Sequence, residues 1–291
     1  MDTLCLPQAV YECQIQKPKG GKPWKFLKLQ KSGLITTLPI RKKNTVRAYR
    51  WIINKFCVDF RGEDLTELSS EKILRFFNIV TEGCKPQTKR VRFSHLSSFF
   101  NFLKNNRDLN FENPCELPML RKLFRPTVTV NWTILEKETG DEIIFRTTKI
   151  RNRLILKLMA RGGMRIGEVL KPIFVDIQDR KLILKAPKSG KEQEVVFIPQ
   201  KVADRLQDYA RQKCKNPNDR IFPISYEAAR IMVLKARDMA GIYLWPHDLR
   251  RHAATYASRA GFPIEIISKI ILRHANLTTT KSFNCIPSKF W

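Results

Sequence analysis

Apolar residues recur at helical spacing along most of this chain. In 45–60, Val46, Tyr49, Ile53 and Phe56 stand three or four apart, on one face of a helix. Ser69 or Ser70 can cap a second helix, with Glu71 favourable in its first turn and Ile73, Phe76, Phe77 and Val80 on its apolar face. A third helix is predicted over 88–104, where Leu96, Phe99, Phe100 and Leu103 follow the i, i+3, i+4, i+7 pattern. Asn113-Pro114 reads as a cap and a first-turn proline, opening a short helix to 124.

Residues 1–43 are polar and Lys-rich, broken by Gly20, Gly21, Pro23 and Gly33, and read as turns or an extended arm. Residues 125–132 have extended propensity between helical stretches and read as a linker. Beyond it a helix over 149–160 stops at Gly162-Gly163, and another starts near Met164. Strand signals follow at 173–177, 181–185 and 194–198, with Ser189-Gly190 in the turn between the last two. After Pro199 the pattern is helical again: 202–214, 226–240, 248–260, 263–271 and 278–284, with Gly241 and Gly261 as stops. The pattern therefore predicts a mainly α protein with a small antiparallel β-sheet. It divides into a lead-in (1–43), a helical domain (44–124), a linker (125–132), a mixed domain (133–284) and a tail (285–291).

At 291 residues, 43% hydrophobic and 28% charged, the chain has enough apolar side chains to bury a core. Charge adds what periodicity does not show. Fifty-four Lys and Arg against 27 Asp and Glu leave a net +27. Residues 1–130 hold 24 basic and 11 acidic side chains, and 131–291 hold 30 and 16, so the excess is no basic tail. Two basic halves fit a protein that grips a polyanion with both, and nucleic acid is the partner expected. Lys85, Lys89, Arg90 and Arg92 cluster where the third helix begins, and cations there oppose its dipole. Phosphate contact accounts for them; a solvated helix face is the alternative. No apolar run reaches the ~18–20 residues that span a bilayer, and the start lacks a signal peptide's pattern, so no membrane partner is expected. Seven Cys without a Cys-x-x-Cys pair argue for reduced thiols in a cytoplasmic setting.

Three of the four His, at 247, 252 and 274, stand among Arg250, Arg251 and Arg273. On a helix His247 and Arg250 share a face, and such a pair at an exposed helix start can hold a phosphate and move a proton beside it. A helix cap with solvated charges is the plainer alternative. The spacing does not match His-Glu-x-x-His and carboxylates are sparse nearby, so neither metal nor cofactor is expected. His252 and His95 read as structural.

His247-Asp-Leu-Arg250 followed by Ala254-Thr255 resembles the second signature box of the tyrosine recombinase (phage integrase) family. Ala160-Arg-Gly-Gly-Met-Arg165-Ile-Gly-Glu168-Val-Leu resembles the first box, and Ala186-Pro-Lys188-Ser-Gly-Lys-Glu the lysine-bearing hairpin. Ile271-Leu-Arg273-His274-Ala-Asn-Leu-Thr-Thr-Thr-Lys-Ser-Phe283 resembles the final box. The likeness covers about 44–285 and implies a two-domain clamp that closes on a specific duplex DNA site, as a dimer on the site and a tetramer in synapsis. It also implies a cytoplasmic, nucleoid-associated protein of a prokaryote or mobile-element host. In the implied chemistry a tyrosine forms a 3′-phosphotyrosyl link. Arg165, Arg250, His247 and His274 serve the phosphate, Lys188 protonates the leaving oxygen, and Glu168 orients an Arg or His. Arg251 and Arg273 join Lys85, Lys89, Arg90 and Arg92 as expected DNA contacts. The tail is expected to dock on a neighbouring protomer, or else to pack on its own domain.

Two departures stand out. Arg273 replaces the family's Gly, a change expected to sit on a basic surface. Phe283 occupies the nucleophile's place nine residues after His274, and no Tyr follows Tyr256. Phenylalanine has no hydroxyl to attack phosphorus, so the chain is expected to bind DNA without cutting it. Either Phe283 is a deliberate Tyr→Phe change, which the otherwise intact site favours, or the chain is a naturally inactive accessory protein of the same descent. A type IB topoisomerase shares the chemistry but is disfavoured by the separate helical domain.

Overall fold

The computed structural model describes residues 12–15, 26–30, 43–64, 67–106, 112–125, 135–187 and 191–281, and the chain clusters into two units, Met1–Thr129 and Val130–Trp291. All but Arg125 of the 125–132 linker segment, the Lys188 turn and everything from 282 onward lie outside the described residues.

In the first unit, strand β1 (Glu12–Ile15) pairs antiparallel with β2 (Phe26–Gln30). This corrects the reading of 1–43 as turns or an extended arm: Leu27-Lys-Leu-Gln30 alternates at strand period, a signal obscured by the surrounding lysines. Four helices follow, α1 (Lys43–Asp59), α2 (Ser70–Val80), α3 (Pro86–Asn106) and α4 (Pro118–Leu123). Ser69 caps α2 by accepting the Lys72 N–H at 3.3 Å. Their apolar faces meet in a phenylalanine-rich core. Phe56 at its centre meets Phe76 and Phe100 edge-on at 5.5 and 5.3 Å, the arrangement ring quadrupoles favour. His95 lies against Tyr49, ring centroids 4.2 Å apart. Helix α4 starts later than expected. The Asn113 side chain accepts the Cys115 N–H and donates to Asn101, which makes a turn pinned to α3, and Pro118 then opens the helix.

The second unit opens with α5 (Lys137–Arg146), an element with no counterpart in the sequence reading. Then come α6 (Ile150–Gly162) and the single turn α7 (Ile166–Val169). The strand expected at 173–177 is mostly a 3-10 turn, Phe174–Asp176. Its Asp176 carboxylate accepts the Ile173 N–H at 3.1 Å and curls the backbone out of the extended state, despite the β-branched residues. Strands β3 (Ile177–Gln178), β4 (Lys181–Lys185) and β5 (Gln193–Phe197) form an antiparallel sheet in that order, with Leu182 opposite Val196 and Leu184 opposite Glu194. Helices α8 (Gln200–Lys213), α9 (Tyr226–Ala240) and α10 (Pro246–Arg259) complete the body. Short α11 (Ile264–Ile266) runs into a π turn, Ile267–Ile271, before α12 (Leu277–Lys281). Leu154, Ile155, Leu158 and Met159 of α6 lie at the core with Leu182, Leu184, Val196 and Leu249, each such side chain contributing roughly 1.5–3 kcal/mol. The fold is thus mainly α with a small antiparallel sheet.

Candidate active site

The site grows from the end of α6. Gly163 closes that helix in the left-handed conformation, φ +58°. A Cβ there would stand 2.8 Å from the Ile271 carbonyl oxygen. Gly163→Ala is therefore expected to destabilise the chain by roughly 1–3 kcal/mol, read as a lowered thermal midpoint. An unchanged midpoint would show that the turn yields freely.

Two residues on, Arg165 caps α7. Glu168 accepts its backbone N–H at 3.0 Å and its guanidinium at 2.5 Å, which binds charge and turn together. Arg250, on the first turns of α10, is 2% exposed and donates through its two terminal nitrogens to the carbonyls of Gly163 and Leu272. One guanidinium so joins α10 to the end of α6 and to the segment before His274. Burial, then the neighbouring Arg165 and Arg273, lower its pKa to about 9, and it stays charged at neutral pH.

Arg273 corrects an expectation. It is buried, not on a basic surface. Its backbone takes φ +51°, and its guanidinium donates to Glu168 at 3.0 Å, the Gly163 carbonyl at 3.2 Å and the Ile271 carbonyl at 2.7 Å. Two buried carboxylates, Glu168 and Glu194, draw it inward. Glu168, 4% exposed, would rise in pKa by burial, but the Arg165 backbone N–H, the Arg273 charge and the Arg165 side chain outweigh this and hold it low.

His274 lies beside this cluster. Its Nδ1 meets Thr280 Oγ1 at 2.9 Å, and Thr280 donates on to Ser268 at 2.8 Å. With the Thr280 proton committed, Nδ1 carries the ring hydrogen and Nε2 the lone pair. Burial, then Arg250, Arg165 and Arg273, push its pKa down to about 4, so the ring is neutral near pH 7. Burial likewise lowers His252, whose Nδ1 donates to the Leu135 carbonyl at 2.9 Å and whose Nε2 accepts from Arg161 at 3.0 Å. Both rings bind fewer protons folded than unfolded between pH 6.5 and their folded values. Stability is accordingly complete above pH 6.5 and is lost as pH falls, by about 3 kcal/mol at pH 4 from His274. Urea midpoints at pH 7.5 and 4.5 measure this, and His274→Asn should flatten the difference; equal drops in both chains would exclude His274 as the source.

His247 stands exposed at the second position of α10. Pro246 opens that helix, and the Asp248 carboxylate accepts the Trp245 N–H at 2.7 Å. Asp248 also pairs with Arg251, which leaves that guanidinium largely buried. Lys188 and Phe283 lie outside the described residues. Lys85, Lys89, Arg90 and Arg92 belong to the first unit, where Lys85 and Arg90 are exposed and Lys89 is half-buried. Arg92 lies 3.7 Å over the Trp51 ring and donates to the Val80 carbonyl, closing the end of α2. The structure therefore gathers Arg165, Glu168, Arg250 and His274, with Arg273 inside the cluster. Sequence reasoning missed Glu194, whose signal was a carboxylate alternating in register with Val196 on β5, and the Thr280–Ser268 relay. Among the described residues no helix is long and apolar enough to cross a membrane, and no three His, Cys, Asp or Glu gather to hold a metal ion.

Fixed guanidiniums surround one buried carboxylate beside a neutral imidazole, an arrangement with the donors to hold an anion. The chain belongs to the phage integrase family, whose model matches residues 134–285. It is 25% identical over 272 residues to the tyrosine recombinase XerA of Pyrococcus horikoshii, covering 86% of this chain and 85% of that one. Its fold matches XerH site-specific recombinase bound to palindromic difH substrate, with TM-score 0.69, 18% identity and coverage of 84% and 77%. It also matches a lambda integrase dimer bound to a COC′ core site, with TM-score 0.68, 16% identity and coverage of 88% and 93%.

Proposed function

We propose that this chain recognises a specific duplex DNA site as a tyrosine recombinase does, pairs such sites, and holds them uncut because position 283 carries Phe. The observation that carries the reading is the intact Arg165–Glu168–Arg250 cluster beside a neutral His274, in a chain with no Tyr after Tyr256.

In the chemistry this site serves, a tyrosine oxygen attacks one phosphorus, the bond to the 5′-oxygen breaks, and a 3′-phosphotyrosyl link and a free 5′-hydroxyl result. Arg165 and Arg250 hold the non-bridging oxygens as their charge grows, each such group being worth ~10²–10³ in rate. Glu168 positions both arginines. His247 and His274 hydrogen-bond the phosphate, and the Nε2 lone pair of His274 suits it to take the nucleophile's proton. Lys188 returns a proton to the departing oxygen. The +27 charge, shared between both units, supplies the sequence-independent grip. Assembly as a dimer on one site and a tetramer in synapsis is supported by a DNA-bound lambda integrase dimer and a lambda integrase tetramer bound to a Holliday junction among the matching folds.

Phe283, which has no hydroxyl, also suits a second reading, a naturally inactive DNA-binding relative with an accessory or regulatory role. Restoring a hydroxyl at position 283 separates the two.

A further inference from the structure

Arg273 and Glu194 form a buried pair that the strand-transfer steps do not use. Glu194 sits on β5 opposite Leu184 of β4 and is buried with Val196 on the inner side of the hairpin. A carboxylate in that register is costly unless a cation meets it. Arg273 supplies one: its Nε stands 3.6 Å from Glu194 Oε2, and neither of these buried atoms has a hydrogen-bond partner among the described residues. The other edge of the same guanidinium holds Glu168 and the Gly163 carbonyl. One rigid planar group thus bridges the hairpin and the turn that carries Arg165 and receives Arg250. With φ at +51°, where Gly is at ease, Arg273 is kept in place by these contacts and not by local preference.

We infer that Arg273 is a positioning residue: through Glu194 it fixes the β4–β5 strand pair against the Arg165–Glu168–Arg250 cluster. Its catalytic consequence rests on the reading of Lys188 as proton donor to the 5′-oxygen. Leu182, Leu184 and Val196 pack the hairpin into the core, and its other polar ties, Lys171 to the Ala186 carbonyl at 2.7 Å and Lys185 to Asp176 at 2.8 Å, come from exposed lysines, where ion pairs and hydrogen bonds hold weakly.

The test has two arms. In the first, hydrogen exchange is followed on the full chain bound to duplex DNA. Arg273→Gly, which relieves the backbone, should speed exchange of the β4 and β5 amides about tenfold or more and leave α9 unchanged. Glu194→Gln, which alters only the hairpin's side of the contact, should act in the same direction. In the second arm Phe283→Tyr is the background. There Arg273→Gly should slow covalent adduct formation about 10²-fold on ordinary DNA, but not on DNA with sulfur as the 5′-bridging atom, because a thiolate leaves without a proton. Unaltered hairpin exchange in both variants would overturn the inference. So would an equal slowing on the sulfur substrate, which would place the damage in the arginine cluster. If Phe283→Tyr alone forms no adduct on either DNA, the proposed function fails, and the exchange arm still decides whether Arg273 fixes the hairpin.

Discussion

Phe283→Tyr is expected to convert a chain that only holds DNA into one that becomes covalently joined to it. Phe has no oxygen to offer phosphorus, so the Phe283 chain forms no adduct at all. Of the groups proposed to act on the phosphate, Arg165 and Arg250 are already fixed by Glu168 and by backbone carbonyls, and His274 is already neutral. A single oxygen should therefore take the adduct from none to a large fraction of the bound DNA. Labelled DNA carrying a selected binding site should yield a species that survives denaturant and disappears with protease, with a 5′-hydroxyl on the other fragment. The rate should fall as pH drops toward 4, where His274 gains a proton and can no longer accept one. A Phe283→Tyr variant that binds the site tightly and forms no adduct would sink the recombinase reading and leave the accessory one.

The parts of the fold legible in the sequence are those whose burial follows local periodicity. Leu96, Phe99, Phe100 and Leu103 announce α3 because one helix face meets one core. Helix α5 was not legible, because Gly140 interrupts it and only Ile143 and Ile144 are its buried apolar side chains; the tight fit of Gly140 against His252, which a Cβ would approach to 3.1 Å, depends on α10. The order of the site residues along the chain could be read, since motifs are local. Which arginines are buried could not. Arg273 turns inward because Glu168 and Glu194, distant in sequence, are already there, and the pairing is set by the tertiary fold.

Arg250→Lys, in the Phe283→Tyr background, is expected to lower the adduct rate by about 10²–10³ while DNA affinity stays within a few-fold. Lysine keeps the formal charge but not the fork. Arg250 satisfies two carbonyls from different segments, Gly163 and Leu272, and a single ammonium cannot hold both and also face a phosphate. Gly163 keeps Arg273 as a donor, so Leu272 loses most, at roughly 1–3 kcal/mol. The thermal midpoint should fall by about 3–10 °C. Charge is at risk as well. The burial and the Arg165 and Arg273 repulsion that lower Arg250 to about 9 would also lower a lysine, which starts from a smaller value and so holds its proton less firmly. The variant should accordingly regain rate as pH falls from 8, a direction opposite to that imposed by His274. Affinity is insulated because the grip comes from many exposed cations, of which Arg250, 2% exposed, is not one. If affinity fell as far as the rate, or if acid gave no recovery, Arg250 would be a pillar of the fold and not a ligand of the phosphate.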